Sequence, residues 1–319
     1  MSRFLHQRHH PGGFPIGTSC EPLTREFDCL DPLADDSVFM SRRSIALRGP
    51  HGMSVGTPSV GVNPPQPAPT RAPQQNQRLS PVEFANLFRN VRVEFYDPRS
   101  GMADSVTIDV HIYSNNGIDD RRGNMAEKSR LISALRRELR RAGGLGLIGV
   151  ERGHKVQIAH CFFGKGNPEE FKVTLQYALR YNRATPLNLQ NYCDRNAKLG
   201  IDCSGFVNTY FERIGTISRH RHINEYERGT LRSTIDEITA LDVLVWQNTT
   251  MRHIAVIDHV IEGTNPLKMV VVESSGSKGG LAVSEYTVLG VNNQVFRVNR
   301  GEGSSGTSTV KIAEVSSSG

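Results

Sequence analysis

Ile201-Asp202-Cys203-Ser204-Gly205-Phe206 is the stretch whose reading decides the fold. It places one cysteine at the start of an expected short, buried helix, followed by two small residues and then by Phe206, Val207, Phe211 and Ile214. A thiol at a helix N-terminus feels the positive end of the helix dipole, which favours its thiolate. Backbone N–H groups of the first turn have no partner within the helix and can hold an oxyanion, that of Cys203 included. Gly205 is expected to let the helix pack closely on a sheet. These are the parts of an activated cysteine nucleophile, so a hydrolase is the leading expectation.

Downstream of the helix, which Gly215 closes, lies a polar stretch from Ser218 to Ser233. Strand patterns follow at Val243–Gln247, His253–Ile261, Met269–Glu273 and Val295–Val298. A nucleophile helix before an antiparallel sheet makes this part an α+β domain, expected over 166–300. Pro168 to Tyr181 reads as a helix in front of it, and Val156 to Phe163 as a strand. A small α+β accessory region is expected over 81–165. It opens with Ser80-Pro81-Val82-Glu83, a helix start with an N-cap serine, proline at the first turn and a capping-box glutamate. Val91–Tyr96 and Val106–Ile112 alternate as two strands of a hairpin with a turn of about five or more residues. Met125 to Ala142 reads as an amphipathic helix with Leu131, Leu135 and Leu139 on one face and five arginines largely on the rest, closed by Gly143-Gly144. That face is either solvated or a dock for an acidic protein partner. Residues 1–80, with the Pro/Gln-rich run from Pro64 to Gln77, are expected to be a disordered arm, and the Gly/Ser/Thr-rich 301–319 a flexible tail.

The run Asp202-Cys203-Ser204-Gly205-Phe206-Val207 resembles the signature of the NlpC/P60 cysteine peptidases, a papain-like group that typically cuts amide bonds in peptidoglycan stem peptides. The resemblance spans about Phe171 to Val298. It implies a papain-like domain in which the cysteine begins a helix and a histidine opens a strand reading roughly H-[IV]-[GA]-[IV]. A third polar residue, usually His, Asn or Gln, sits on the next strand. His253, ahead of Ile254-Ala255-Val256-Ile257, matches the histidine. It would take the thiol proton and return it to the leaving amine. His259 is the reserve; six residues on, it is expected on the same strand face but roughly 20 Å away. Glu273, after Val270-Val271-Val272, stands at the third place and departs from the family's residue types. A carboxylate there would fix the imidazole tautomer and stabilise the imidazolium. Asp258 is expected to face away from His253.

Asp202 matches the residue before the family nucleophile and is expected to cap or orient the helix. With Ser204 and Tyr192 it forms the expected oxyanion-side and substrate-lining set. Many relatives carry Y-x-W-G-G upstream; here Tyr192 lies eleven residues before Cys203 and no W-G-G follows, so Tyr192 and Tyr181 are the substitutes on offer. Leu241-Asp242-Val243-Leu244-Val245-Trp246 resembles the family's G-D-L-V-F-F segment, with Asp242 read as structural.

The reading implied is a thiol hydrolase cleaving peptide or isopeptide bonds, with peptidoglycan peptides as its substrate class. Acyl transfer or deamidation at the same site, or an inactive interaction module, are the alternatives. No cofactor and no metal are expected. Cys20 and Cys29 with His6, His9 and His10 match no common zinc spacing, and Ser275-Gly276-Ser277-Lys278 fits S-x-x-K only as a turn would. Cys161 and Cys193 read as packed thiols. Five cysteines in these spacings suggest no disulfide framework. The charge of +6 suits an anionic partner or a plain protein surface, and no basic block interleaved with aromatics points to nucleic acid. With neither a signal-peptide core nor a run of about 18 apolar residues, the expected location is cytoplasmic, or outside the cell by a non-classical route.

Overall fold

The structure, a computed structural model, describes residues 78–97, 100–114, 124–141, 148–246, 252–301 and 306–317. The expected arm lies outside these residues up to position 77, as do Cys20, Cys29 and the N-terminal histidines. Among the described residues no helix is long and apolar enough to cross a membrane.

Helix α1 (Pro81–Arg89) starts as its sequence dictates, with Ser80 Oγ accepting from Glu83 N and the Glu83 carboxylate accepting from Ser80 N. The hairpin β1 (Val91–Asp97) and β2 (Met102–Ile108) follows, pairing Val91 with Ile108 and Asp97 with Met102. Its connection is therefore shorter, and its second strand earlier, than the alternation alone suggests. Helices α2 (Asn124–Arg141), α3 (Ile148–Phe162) and α4 (Pro168–Arg180) come next. The strand expected at 156–163 is instead the end of α3. Its buried residues Ile158, Cys161 and Phe162 have helical spacing and pack between α2 and α4, which overrides the local apolar alternation. A run of short turns, Pro186–Asn188, α5 (Leu189–Asn191) and Tyr192–Ala197, leads to α6 (Cys203–Arg213). The polar stretch beyond it holds α7 (Ile223–Glu227) and the two-residue β3 (Thr230–Leu231).

The strands β4 (Val243–Trp246), β5 (Ile254–Ile261), β6 (Lys268–Ser275), β7 (Gly280–Asn292), β8 (Val295–Asn299) and β9 (Thr307–Glu314) are antiparallel neighbours in that order. β9 pairs with both β8 and β4, so the sheet closes on itself, and β3 adds to one end of β9. This corrects the expected flexible tail: Thr307–Glu314 is the strand that completes the barrel. Alternation gives the closed sheet two faces. Leu244, Trp246, Ala255, Ile257, Met269, Val271, Tyr286, Val288, Phe296, Val298, Val310 and Ile312 form one core inside it. The other face, with Val243, Val245, Ile254, Val256 and Val272, joins a second core shared with the helices. That core runs from Phe84 to Ala313 without a break at the expected boundary near 165. Phe84 and Phe88 of α1 meet Phe206 of α6 ring to ring, so the region read as accessory packs directly on the cysteine helix.

Candidate active site

Four anchors fix the start of α6. Ile201 pairs with Tyr113 and donates its N–H to Ile112 O, while its carbonyl accepts from Ser274 Oγ at 2.5 Å. Asp202 N donates to Gly164 O at 2.9 Å. The Asp202 side chain then caps the helix by accepting from Gly205 N. Gly205 allows close packing as expected, but against the α3–α4 loop rather than a sheet: a Cβ there would sit 2.0 Å from the carbonyl oxygen of Gly164.

Cys203, at the first position of α6, is buried. Backbone N–H groups of Ile254 and Ser204 lie against its sulfur. Burial nevertheless pushes the thiol up to about 11, and the adjacent Asp202 carboxylate adds to the rise. The expected dipole-favoured thiolate is thus outweighed by desolvation, and the resting group is the thiol.

His253 immediately precedes β5 and so stands one residue from the N–H that faces the sulfur. Its Nε2 is 2.6 Å from Glu273 Oε2 on β6. The imidazole packs edge-on against Trp246, with ring centroids 4.7 Å apart. Glu273 has no exposed surface. Besides His253 it accepts from Tyr286 Oη at 2.5 Å and from Arg300 at 2.6 Å, with Lys278 3.4 Å away. Burial alone would raise this carboxyl. The bond and charge of His253, Arg300 and the Tyr286 hydroxyl more than reverse it, holding Glu273 at about 2. An ionised Glu273 can only accept, so Nε2 carries the imidazole proton. Nδ1 is then the ring nitrogen that does not face Glu273.

The structure therefore bonds His253 to Glu273 on β6 and sets the Ile254 N–H, one residue after His253, against the Cys203 sulfur at the start of α6. It does not bring Tyr192 there. That ring is buried and its hydroxyl donates to Glu127, itself clamped by Arg183, so Tyr192 belongs to the core beside α2. Tyr181 likewise donates its hydroxyl to Glu138. Ser204 and Asp202 are bonded to each other and to Lys165. His259 is exposed and paired with Asp258. A bulge at Asp258 shifts the pairing between Ile257 and His259, so the simple alternation that put His259 on the face of His253 fails. Asp258 accepts from Val82 N and ties α1 to the barrel, while Asp242 takes both nitrogens of the Arg232 fork as a structural pair. Cys161 and Cys193 are buried, bonded to Thr174 and to the Leu199 carbonyl.

Lys165, Tyr286, Lys278 and Arg300 complete the site, and the sequence reading did not assign them. Arg300 had a usable signal, since it continues the inward alternation of Phe296 and Val298. Tyr286 sits on the unrecognised β7, and Lys165 sits in a turn with no periodic pattern.

No curated protein matches this chain. The NlpC/P60 family model, in contrast, matches residues 190–298, leaving Lys165, Arg300 and β9 outside its span. The part of the chain that carries Cys203, His253 and Glu273 is thus similar to the NlpC/P60 family, a similarity that suggests peptidase or amidase-type activity on cell walls.

Proposed function

We propose that the protein is a thiol hydrolase that cleaves peptide or isopeptide bonds, with peptidoglycan stem peptides as its substrate class, through Cys203, His253 and Glu273. The observation that carries this reading is the buried His253–Glu273 bond of 2.6 Å beside a cysteine at a helix start. The Glu273 carboxylate that accepts from His253 also accepts from Tyr286 and Arg300, which supports an oriented imidazole. The helix thiol and the barrel imidazole together form a papain-like arrangement.

Substrate binding completes the desolvated site. His253 Nδ1 takes the Cys203 proton as the sulfur attacks the amide carbonyl carbon. Negative charge moves onto the carbonyl oxygen, where the Cys203 N–H receives it. The imidazolium, steadied by Glu273, passes its proton to the departing amine nitrogen, the C–N bond breaks, and a thioester remains. His253 then takes a proton from water, whose oxygen attacks the thioester carbon, and the thiol leaves reprotonated. Glu273, held at about 2, stays ionised throughout. An acidic partner on the exposed arginines of α2, Arg137, Arg140 and Arg141, is a separate proposal; Arg130 and Arg136 already pair with Glu127 and Glu151.

Mass spectrometry of muropeptides incubated with the wild type and with Cys203→Ala tests the reading. New fragments are expected from the wild type alone. Unchanged muropeptides, together with failure of a thiol-reactive probe to label Cys203, would overturn it in favour of a binding module.

A further inference from the structure

Asp202 creates an electrostatic problem for its neighbour. It is needed as the cap of α6, yet its negative charge lies beside a thiol that must lose a proton. Of the charged groups around Cys203, His253 with Glu273 behind it approaches from β5 and β6, Asp202 from the helix start, and Lys165 from the α3–α4 loop. Lys165 is placed there by backbone: Lys165 N donates to His160 O at 2.8 Å, and the neighbouring Gly164 carbonyl receives Asp202 N. Gly164 has φ +71°, and a Cβ on it would meet Ser114 O at 2.3 Å, so the turn is held tightly. The ammonium reaches both Asp202 oxygens, at 2.9 and 2.7 Å, and also bonds Ser204 Oγ.

We propose that Lys165 is a positioning residue that sets the ionisation of Cys203 by cancelling the charge of Asp202. Capping uses only one oxygen, Asp202 Oδ1, which accepts from Gly205 N and Ser204 Oγ; Lys165 also reaches Oδ2, the oxygen that the cap does not use. The two charges act on the thiol in opposite senses, Asp202 raising its pKa and Lys165 lowering it. With the pair intact, Lys165 offsets part of the Asp202 charge that the helix-start N–H groups work against. The proposal rests on Cys203 being the nucleophile, but its test does not require turnover.

The test is the pH dependence of Cys203 alkylation by iodoacetamide, followed by peptide mass spectrometry so that the other four cysteines are separated. Lys165→Met is expected to move the profile up by about half to one pH unit and slow labelling near pH 8 about three- to tenfold. Lys165→Arg should stay within about twofold of the wild type. Asp202→Asn should move the profile down, and combining it with Lys165→Met should return the profile toward the wild type. A merely structural Lys165 would lower Tm and leave the profile in place. A Lys165→Met profile superimposed on the wild type, in a protein shown folded by circular dichroism, overturns the proposal. If that variant does not fold, the decision passes to Lys165→Gln and the double variant: a Lys165→Gln profile superimposed on the wild type, or a double variant titrating no higher than Asp202→Asn alone, overturns it. Absence of muropeptide cleavage would count against peptidoglycan as the substrate without touching this result.

Discussion

At Glu273 a contribution to stability and the proposed chemistry meet in a single side chain. Its folded-state pKa of about 2 lies below its ordinary 4.5, so the folded state holds fewer protons than the unfolded one between those values. The stabilisation is therefore full above about pH 5 and is lost as pH falls from there through about 2, amounting to roughly 3 kcal/mol. Glu273→Gln removes the charge and leaves Arg300 and Lys278 buried beside a neutral amide. Urea denaturation at pH 7, 5 and 3 is expected to show the variant less stable at pH 7, with the gap to the wild type narrowing toward pH 3. A gap that is the same at all three values would contradict the assignment. The same change removes the counter-charge of the imidazolium, so kcat is expected to fall about a hundredfold. The motif around Cys203 and the strand patterns after it made the His253–Glu273 pairing legible in the sequence. Lys278, in a turn 3.4 Å from Glu273, was not legible, and Arg300 was legible only through its alternation with Phe296 and Val298, because their meeting with Glu273 is determined by the closed sheet. Desolvation of Cys203 is invisible in sequence for the same reason.

At the level of elements, local signals were reliable where they were chemical and weaker where they were only periodic. The capping box at Ser80 and the start of α6 appear where the residues demand them. Alternation misread α3 and missed β7 and β9, whose polar and glycine-containing sequences become strands because neighbouring strands pair with them. Gly205 shows how tightly one element constrains another. Gly205→Ala would drive a methyl group into the Gly164 carbonyl and lift the start of α6 off the loop that carries Lys165. A loss of about 3 kcal/mol is expected, with loss of activity because the sulfur moves. Gly215→Ala serves as the comparison: no atom lies within 4 Å of the new methyl, and the cost is only the positive φ of 74°, about 1 kcal/mol. Thermal unfolding of both variants checks this, and equal losses would mean that the Gly164–Gly205 approach is not a tight contact.

For the molecule as a whole, the closed sheet ties the candidate site around residues 203, 253, 273 and 300 to a strand near residue 310. β9 bridges β8 and β4, and places Val310 and Ile312 in the interior core and Ala313 in the outer one. Without it, β4 and β8 become open edges, and the inner core that backs Trp246, Tyr286 and hence Glu273 is opened to water. A chain ending at Gly301 retains every residue of the candidate trio and Arg300, yet is expected to lose cooperative unfolding, bind a hydrophobic dye and aggregate. A chain ending at Ser317 should unfold like the full-length protein. Denaturant titration of the two truncations beside the full chain separates a barrel-closing strand from a dispensable tail. If the Gly301 truncation unfolded cooperatively within about 1 kcal/mol of the full-length protein, closure by β9 would not be what holds the inner core, and the support of His253 by Glu273 would have to come from β5 to β8 alone.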